Sequence, residues 1–299
     1  MSVTGTRCSD RSRAADEPLA ATASTADQWL LVEVPGTWGR DVATGGTLPA
    51  AAHEAVADWL ARTPRSRILF LRRQGRSVRR PAAFVIRAEE TEAEVRRIEL
   101  VSHDDLARVD LETEGELVAG SLVLVCGHGT RDACCALRGT AVYGTLAAEV
   151  GDDRLWLSSH QGGHRFAANV LVLPAGVQLG RVDADNAARV VSRALEGRIE
   201  LDHYRGRTCY EPRVQAAEQA IRQEFGLDTV DDLRLLAMNG SVVRFRSRNE
   251  VEHAATVDEI DGPLVPASCG AEPERQKALV ARLVVEPGSA TSGAGTRYR

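Results

Sequence analysis

Apolar positions along this chain come in short runs separated by polar or turn-forming residues, a pattern that predicts alternating strands and helices. QWLLVEV (28–34), closed by Pro35 and Gly36, is a short strand. TLPAAAHEAVADWLART (47–63) is a helix: Thr47 caps it, Pro49 suits the first turn, and Ala52, Val56, Trp59 and Leu60 share one face. RILFL (67–71), AAFVI (82–86) and VRRIELV (95–101) are further strands. SLVLV (121–125) is too short for a helix and stops at CGHGTRDACC. A helix over 136–150 follows, with Leu137, Ala141 and Leu146 inward, and then the strand RLWLS (154–158). NVLVL (169–173) and VQLGRV (177–182) form a hairpin about Pro174, Ala175 and Gly176. DADNAARVVSRALEG is a helix capped near Asp183 or Asp185 and stopped by Gly197. Beyond 210 the pattern gives helices at 212–225 and 229–238 and strands at 241–247, 252–258 and 278–286.

These elements divide the chain into a mobile tail (1–26), an N-terminal α/β half (27–115), a second unit (116–209), a small α+β appendix (210–286) and a second mobile tail (287–299). The class is α/β. In the second unit the order is strand, Cys-rich loop, helix, strand, His-rich loop, hairpin, helix, which is the order of a thioredoxin-like domain. Loops leaving one end of such a sheet lie close together, so the Cys and His loops are expected to meet.

Composition narrows the function classes. With 43% hydrophobic and 26% charged residues, the chain has the make-up of a soluble globular protein, its core filled mainly by Leu, Val and Ala because only 4% is aromatic. The net charge of −5 argues against a general nucleic-acid binder. No stretch reaches the ~18 apolar residues of a membrane span, and no signal peptide is legible, so the expected address is the cytoplasm, with no membrane partner. Arg72, Arg73, Arg76, Arg79 and Arg80 form a local basic run, read either as a solvated turn or as a dock for an acidic partner. Cysteines at 8, 126, 134, 135, 209 and 269 do not form a secreted disulfide framework, so they stand as thiols available to metal.

The chemistry concentrates in two loops. Cys126-Gly-His-Gly-Thr-Arg-Asp-Ala-Cys134-Cys135 runs from a strand end into a helix start, where backbone N–H groups favour thiolates. SSHQGGHRF carries His160 and His164, and the glycines between them disfavour a helix and favour a loop wrapped round a ligand. Two thiolates and two imidazoles suit zinc or an iron-sulfur cluster. The wide gap between Cys126 and either Cys134 or Cys135 fits the larger 2Fe-2S body better than the close cysteine pairs of structural zinc sites.

CGHGTRDACC followed by SSHQGGHRFAANVLVLPAGVQLGRV resembles the sucrase/ferredoxin-like family, most strongly over 121–182 and more weakly over 29–39 and 204–218. The resemblance implies a thioredoxin-like ferredoxin domain holding a 2Fe-2S cluster, with Cys126 and Cys135 on one iron and His160 and His164 on the other. Family spacing places the second cysteine nine positions after the first, which favours Cys135 over Cys134. Relatives with Cys at the place of Ser158 and Asp at that of His164 form another subset, so this chain resembles the bis-histidinyl one. The function implied is one-electron transfer, as a carrier rather than a substrate-converting enzyme, with the histidines towards the surface and a flavoprotein or ferredoxin reductase as partner. No carboxylate pair stands out as a glycosidase acid and nucleophile.

Ligand charge sets a further expectation. Two thiolates and two neutral imidazoles give an oxidised 2Fe-2S centre of zero charge, so its potential lies above that of an all-Cys centre. His128 is read either as orienting the Cys loop or as an ordinary structural histidine, Arg131 and Asp132 as bracing the turn, and Arg165 either as hydrogen-bonding near the cluster or as facing solvent. Two other readings of the same residues are a zinc-stabilised binding module and a thiol-disulfide oxidoreductase, the latter weakened by the lack of C-x-x-C at the helix start. Cys8, Cys209 and Cys269 are expected to be unliganded.

Overall fold

The computed structural model describes residues 7–45, 47–75 and 78–284. Arg76, within the basic run, and the expected tail at 287–299 lie outside them.

Among the described residues, ten strands form one sheet and four form another. The first half contributes β1 (Gln28–Glu33), α2 (Ala50–Arg62), β2 (Ser66–Arg72), β3 (Ala82–Ala88), β4 (Ala93–Glu99) and the short β5 (Glu116–Leu117), after a first helix α1 (Cys8–Ala14). The second half contributes β6 (Leu122–Cys126), α3 (Ala133–Leu146), β7 (Leu155–Ser158), β8 (Val170–Leu173), β9 (Val177–Leu179), α4 (Ala187–Leu195) and β10 (Tyr204–Arg207). Helix α5 (Pro212–Phe225) then packs on the small sheet β11 (Leu233–Asn239), β12 (Val242–Ser247), β13 (Glu252–Pro266) and β14 (Pro273–Leu283).

The large sheet has the order β10-β9-β8-β6-β7-β2-β1-β3-β4-β5. Its two halves repeat one plan. In each, a helical crossover joins a parallel pair (β1 and β2, β6 and β7), and the first strand of the pair takes an antiparallel neighbour (β3, β8) followed by another (β4, β9). The halves join where β2 meets β7 antiparallel, Leu71 opposite Ser158 and Arg72 opposite Leu157.

Both faces are apolar, so successive residues of one strand serve different cores. Leu30 and Val32 pack under α2 with Val56 and Trp59. Val123 and Val125 pack under α3 and α4 with Val142, Leu146, Val190 and Val191. Trp29, Leu31, Leu69, Leu124, Trp156 and Leu171 share the opposite face. There Phe84 of β3 meets Trp156 of β7 edge to face, ring centroids 5.8 Å apart. Two strands intervene between β3 and β7, so the sheet must curl to bring those rings together.

Three expectations change. Helix α3 begins at Ala133, not 136, because Asp132 caps it by accepting the N–H of Cys134. Its inner face is therefore Cys134, Cys135, Gly139, Val142, Tyr143 and Leu146, while Leu137 and Ala141 are exposed. Residues 233–238, expected within a helix over 229–238, lie in β11, paired to β12 across the two-residue turn Gly240-Ser241. Finally, part of the expected N-terminal tail is packed: Cys8, Ser9 and Ser12 of α1 are buried. Smaller shifts occur at helix starts, where Pro49 rather than Thr47 precedes α2 and Asn186 precedes α4.

Candidate metal centre

Cys126 is the last residue of β6 and pairs in register with Ser158, the last residue of the parallel strand β7. The loops that follow both strands therefore leave the same end of the sheet, which brings the Cys loop to the His loop. Two backbone bonds lock the junction: the Gly127 N–H donates to the Ser158 carbonyl at 3.0 Å, and the Ser159 N–H donates to the Phe70 carbonyl at 2.8 Å.

Adjacent residues on a helix point about 100° apart, so Cys134 and Cys135 cannot serve one site equally. Cys135 faces the loops: Cys126, Cys135 and His160 each offer a ligand atom within 4.8 Å of the other two. Cys135 Sγ lies 3.9 Å from His160 Nδ1. Cys134 turns the other way, towards Cys8 and Cys269. His164 stands beside His160, ring centroids 5.1 Å apart, and its Nε2 is 3.8 Å from Asp132 Oδ2. Both ring nitrogens of His164 are buried without a hydrogen bond of ordinary geometry, although the Ala267 backbone lies close by. Buried polar atoms are almost always paired, so this orphaned imidazole fits a ligand.

The cysteines are fully buried and split in character. The thiol of Cys135 and the imidazole of His160 hold Cys126 well below the ordinary thiol range, against the cost of burial. The same neighbour, Cys126, and burial push Cys135 up. Burial lowers His164, which favours the neutral imidazole that binds metal.

The expected braces differ among themselves. His128 is buried; its Nε2 donates to the Gly39 carbonyl at 2.8 Å, while its Nδ1 accepts the His160 backbone N–H at 3.1 Å. It thus ties the first half, the Cys loop and His160 together. Asp132 accepts backbone N–H groups from Cys134 at 2.8 Å and Cys269 at 2.9 Å. Burial works against its charge, but those two bonds and His164 hold its carboxyl below the usual range. Arg131 lines a cavity of about 320 Å³ outside His160, with Arg40 and Arg67. Arg165 pairs with Glu17 at 2.7 Å and lies over the Phe166 ring.

A family model described as sucrase/ferredoxin-like matches residues 19–206, more than half of the chain. The chain belongs to the sucrase/ferredoxin-like family. Its similar proteins include three named altered inheritance of mitochondria protein 32. That of Meyerozyma guilliermondii is 30% identical over 106 residues, 32% of this chain and 38% of the relative. That of Clavispora lusitaniae is 37% identical over 95 residues, 29% of this chain and 35% of the relative. That of Saccharomyces kudriavzevii is 29% identical over 119 residues, 36% of this chain and 37% of the relative. The matches thus span little more than a third of the relatives' length. No solved structure matches the chain.

These comparisons correct the expectation of a one-electron transfer protein. The sucrase/ferredoxin-like relatives that match are named for the inheritance of mitochondria, not as electron carriers. Both histidines are half-buried, His160 at the wall of the cavity that Arg131 lines and His164 with its side chain 13% exposed. No helix among the described residues is long and apolar enough to cross a membrane.

Sequence reasoning missed the residue that holds the His loop in place. Arg205 of β10 is buried beneath it, donating to the Gly162 carbonyl at 3.0 Å and Asn169 Oδ1 at 2.8 Å. The loop can approach this guanidinium only because residue 163 is glycine: its φ is +68°, and a Cβ there would collide with Arg205. Of the basic run, Arg72 and Arg73 stack over Trp38 and Trp156, at 4.3 Å and 3.9 Å from the ring centroids.

Proposed function

We propose that this chain binds a 2Fe-2S cluster, with Cys126 and Cys135 as ligands to one iron and His160 and His164 to the other. The observation that carries the proposal is the convergence of two buried thiols and the His160 imidazole within 4.8 Å, with the orphaned nitrogens of His164 alongside. When bound, such a cluster supplies a redox-active diiron core. The protein's part is to exclude water with the buried cysteines, to hold Cys126 as thiolate, and to keep the His164 imidazole neutral. Electron carriage between partners is no part of this proposal.

The strand order β7-β6-β8-β9, with the α3 crossover, supports reading residues 116–209 as a thioredoxin-like unit that holds the cluster. The half at 27–115 and the appendix at 210–286 then serve as its supports. The six cysteines are all free, which accords with a reducing compartment such as the cytoplasm.

Anaerobic reconstitution with iron and sulfide tests the reading. A red-brown protein with about two irons and two sulfides per chain is expected. A colourless protein that retains neither iron nor sulfide contradicts it. His128→Ala is expected to weaken cluster retention about 10- to 100-fold, because His160 loses the acceptor for its backbone N–H. Competition with a chelator, followed by absorbance, measures the ratio; unchanged retention would remove His128 from this role.

A further inference from the structure

Cys8, Cys134 and Cys269 meet in a second cluster, distinct from the proposed iron-sulfur ligands. The chain separates Cys8 from Cys134 by 126 positions and from Cys269 by 261, so only folding brings them together. Their sulfurs form a triangle with sides of 3.5 Å (8 to 134), 3.3 Å (134 to 269) and 3.6 Å (269 to 8). Asp132 closes the fourth corner, its carboxylate oxygens 3.8 and 3.9 Å from Cys8 Sγ. All four groups lie within 4.8 Å of one another.

These separations exceed the ~2.05 Å of a disulfide by far. They come close to the edge of a tetrahedron of thiolates about an ion, ~3.8 Å for bonds of ~2.3 Å. Thiols are weak hydrogen-bonding groups, so mutual S–H contacts are a poor reason for three remote segments to converge. Among the described residues Ala167 is the only other buried apolar member of this cluster, so apolar packing adds little at the sulfurs, and the ion pairs that hold α1, Arg138 with Asp10 and Arg13 with Asp183, do not involve them. Asp132 is already aimed: the N–H groups of Cys134 and Cys269 fix its two oxygens, and each oxygen keeps a further lone pair.

We infer that Cys8, Cys134, Cys269 and Asp132 form a zinc site that staples α1 and the segment after β13 onto the head of α3. Soft thiolates in a closed tetrahedral set are the ligands of structural zinc. The site shares a wall with the first one, since Asp132 also lies 3.8 Å from His164. The doublet Cys134-Cys135 thus serves two sites, one residue to each.

Zinc is measured by mass spectrometry on the full chain grown in zinc-containing medium, beside Cys126→Ser and the double variant Cys8→Ser/Cys269→Ser. About one zinc per chain is expected in the wild type and in Cys126→Ser, with at least a ~5-fold drop in the double variant. Should the double variant not fold, zinc-edge X-ray absorption on the wild type gives the second readout: about three sulfurs near ~2.3 Å and one oxygen near ~2.0 Å. Zinc retained by the folded double variant, imidazole nitrogen in the coordination sphere, or wild type without zinc overturns the inference. None of these results depends on whether the protein carries iron.

Discussion

Cys126→Ser is expected to lower bound iron and sulfide to below about a tenth of the wild-type content, because a hard hydroxyl does not replace a soft thiolate in a cluster. Cys126 is the residue where every favourable influence converges. It ends β6 fully buried, and Cys135 and His160 both stabilise its negative charge. Serine is nearly the same size, so stability should change by no more than about 2 kcal/mol, within the range of ordinary point substitutions. The companion variant Cys134→Ser separates the doublet: its thiol faces Cys8 and Cys269, so iron and sulfide should persist. Iron and sulfide assays on both variants after reconstitution check the pair. Loss of iron from Cys134→Ser, with retention in Cys126→Ser, would reverse the assignment of the ligands.

Gly139→Ala should disturb the same centre through the backbone. Gly139 lies on the inner face of α3, where an added Cβ would collide with the Cys126 carbonyl oxygen and sit 3.0 Å from its carbon. Neither atom belongs to a flexible side chain, so the helix must move off the strand end and carry Cys135 with it. Overpacking of this kind costs typically 1–3 kcal/mol, while alanine regains about 1 kcal/mol of helix propensity. The net expectation is a loss of up to about 2 kcal/mol, with cluster retention falling too. Gly144, on the same helix, has nothing within 4 Å of its would-be Cβ. Gly144→Ala is therefore expected to stabilise by about 0.5–1 kcal/mol and leave the centre intact. Urea unfolding of the two variants measures the contrast, and a shared sign would refute the packing of α3 described above.

The strands were legible because buried apolar runs bounded by Pro and Gly leave little alternative, as at QWLLVEV and SLVLV. The Cys and His loops were legible as a pair because parallel strands β6 and β7 end together. What escaped reading depended on contacts remote in sequence. Residues 233–238 carry a helix-like run of Leu and Ala, yet pairing with β12 across Gly240-Ser241 overrides that propensity. Cys8 and Cys269 each stand alone in the chain, and nothing local ties either to Cys134. One signal was present: two cysteines side by side at a helix start point in different directions, so one of them had to serve something else. The repeated strand plan of the two halves was likewise hidden, since it lies in pairing order and not in similar residues.

The most direct measurement is pulsed EPR on the reduced, reconstituted protein, comparing natural-abundance and ¹⁵N-histidine-labelled samples. Two nitrogen couplings strong enough for direct ligation, both altered by the label and one lost in His160→Ala and in His164→Ala alike, are the expected result. A spectrum without strongly coupled nitrogen, or with couplings that survive both substitutions, would contradict ligation by His160 and His164.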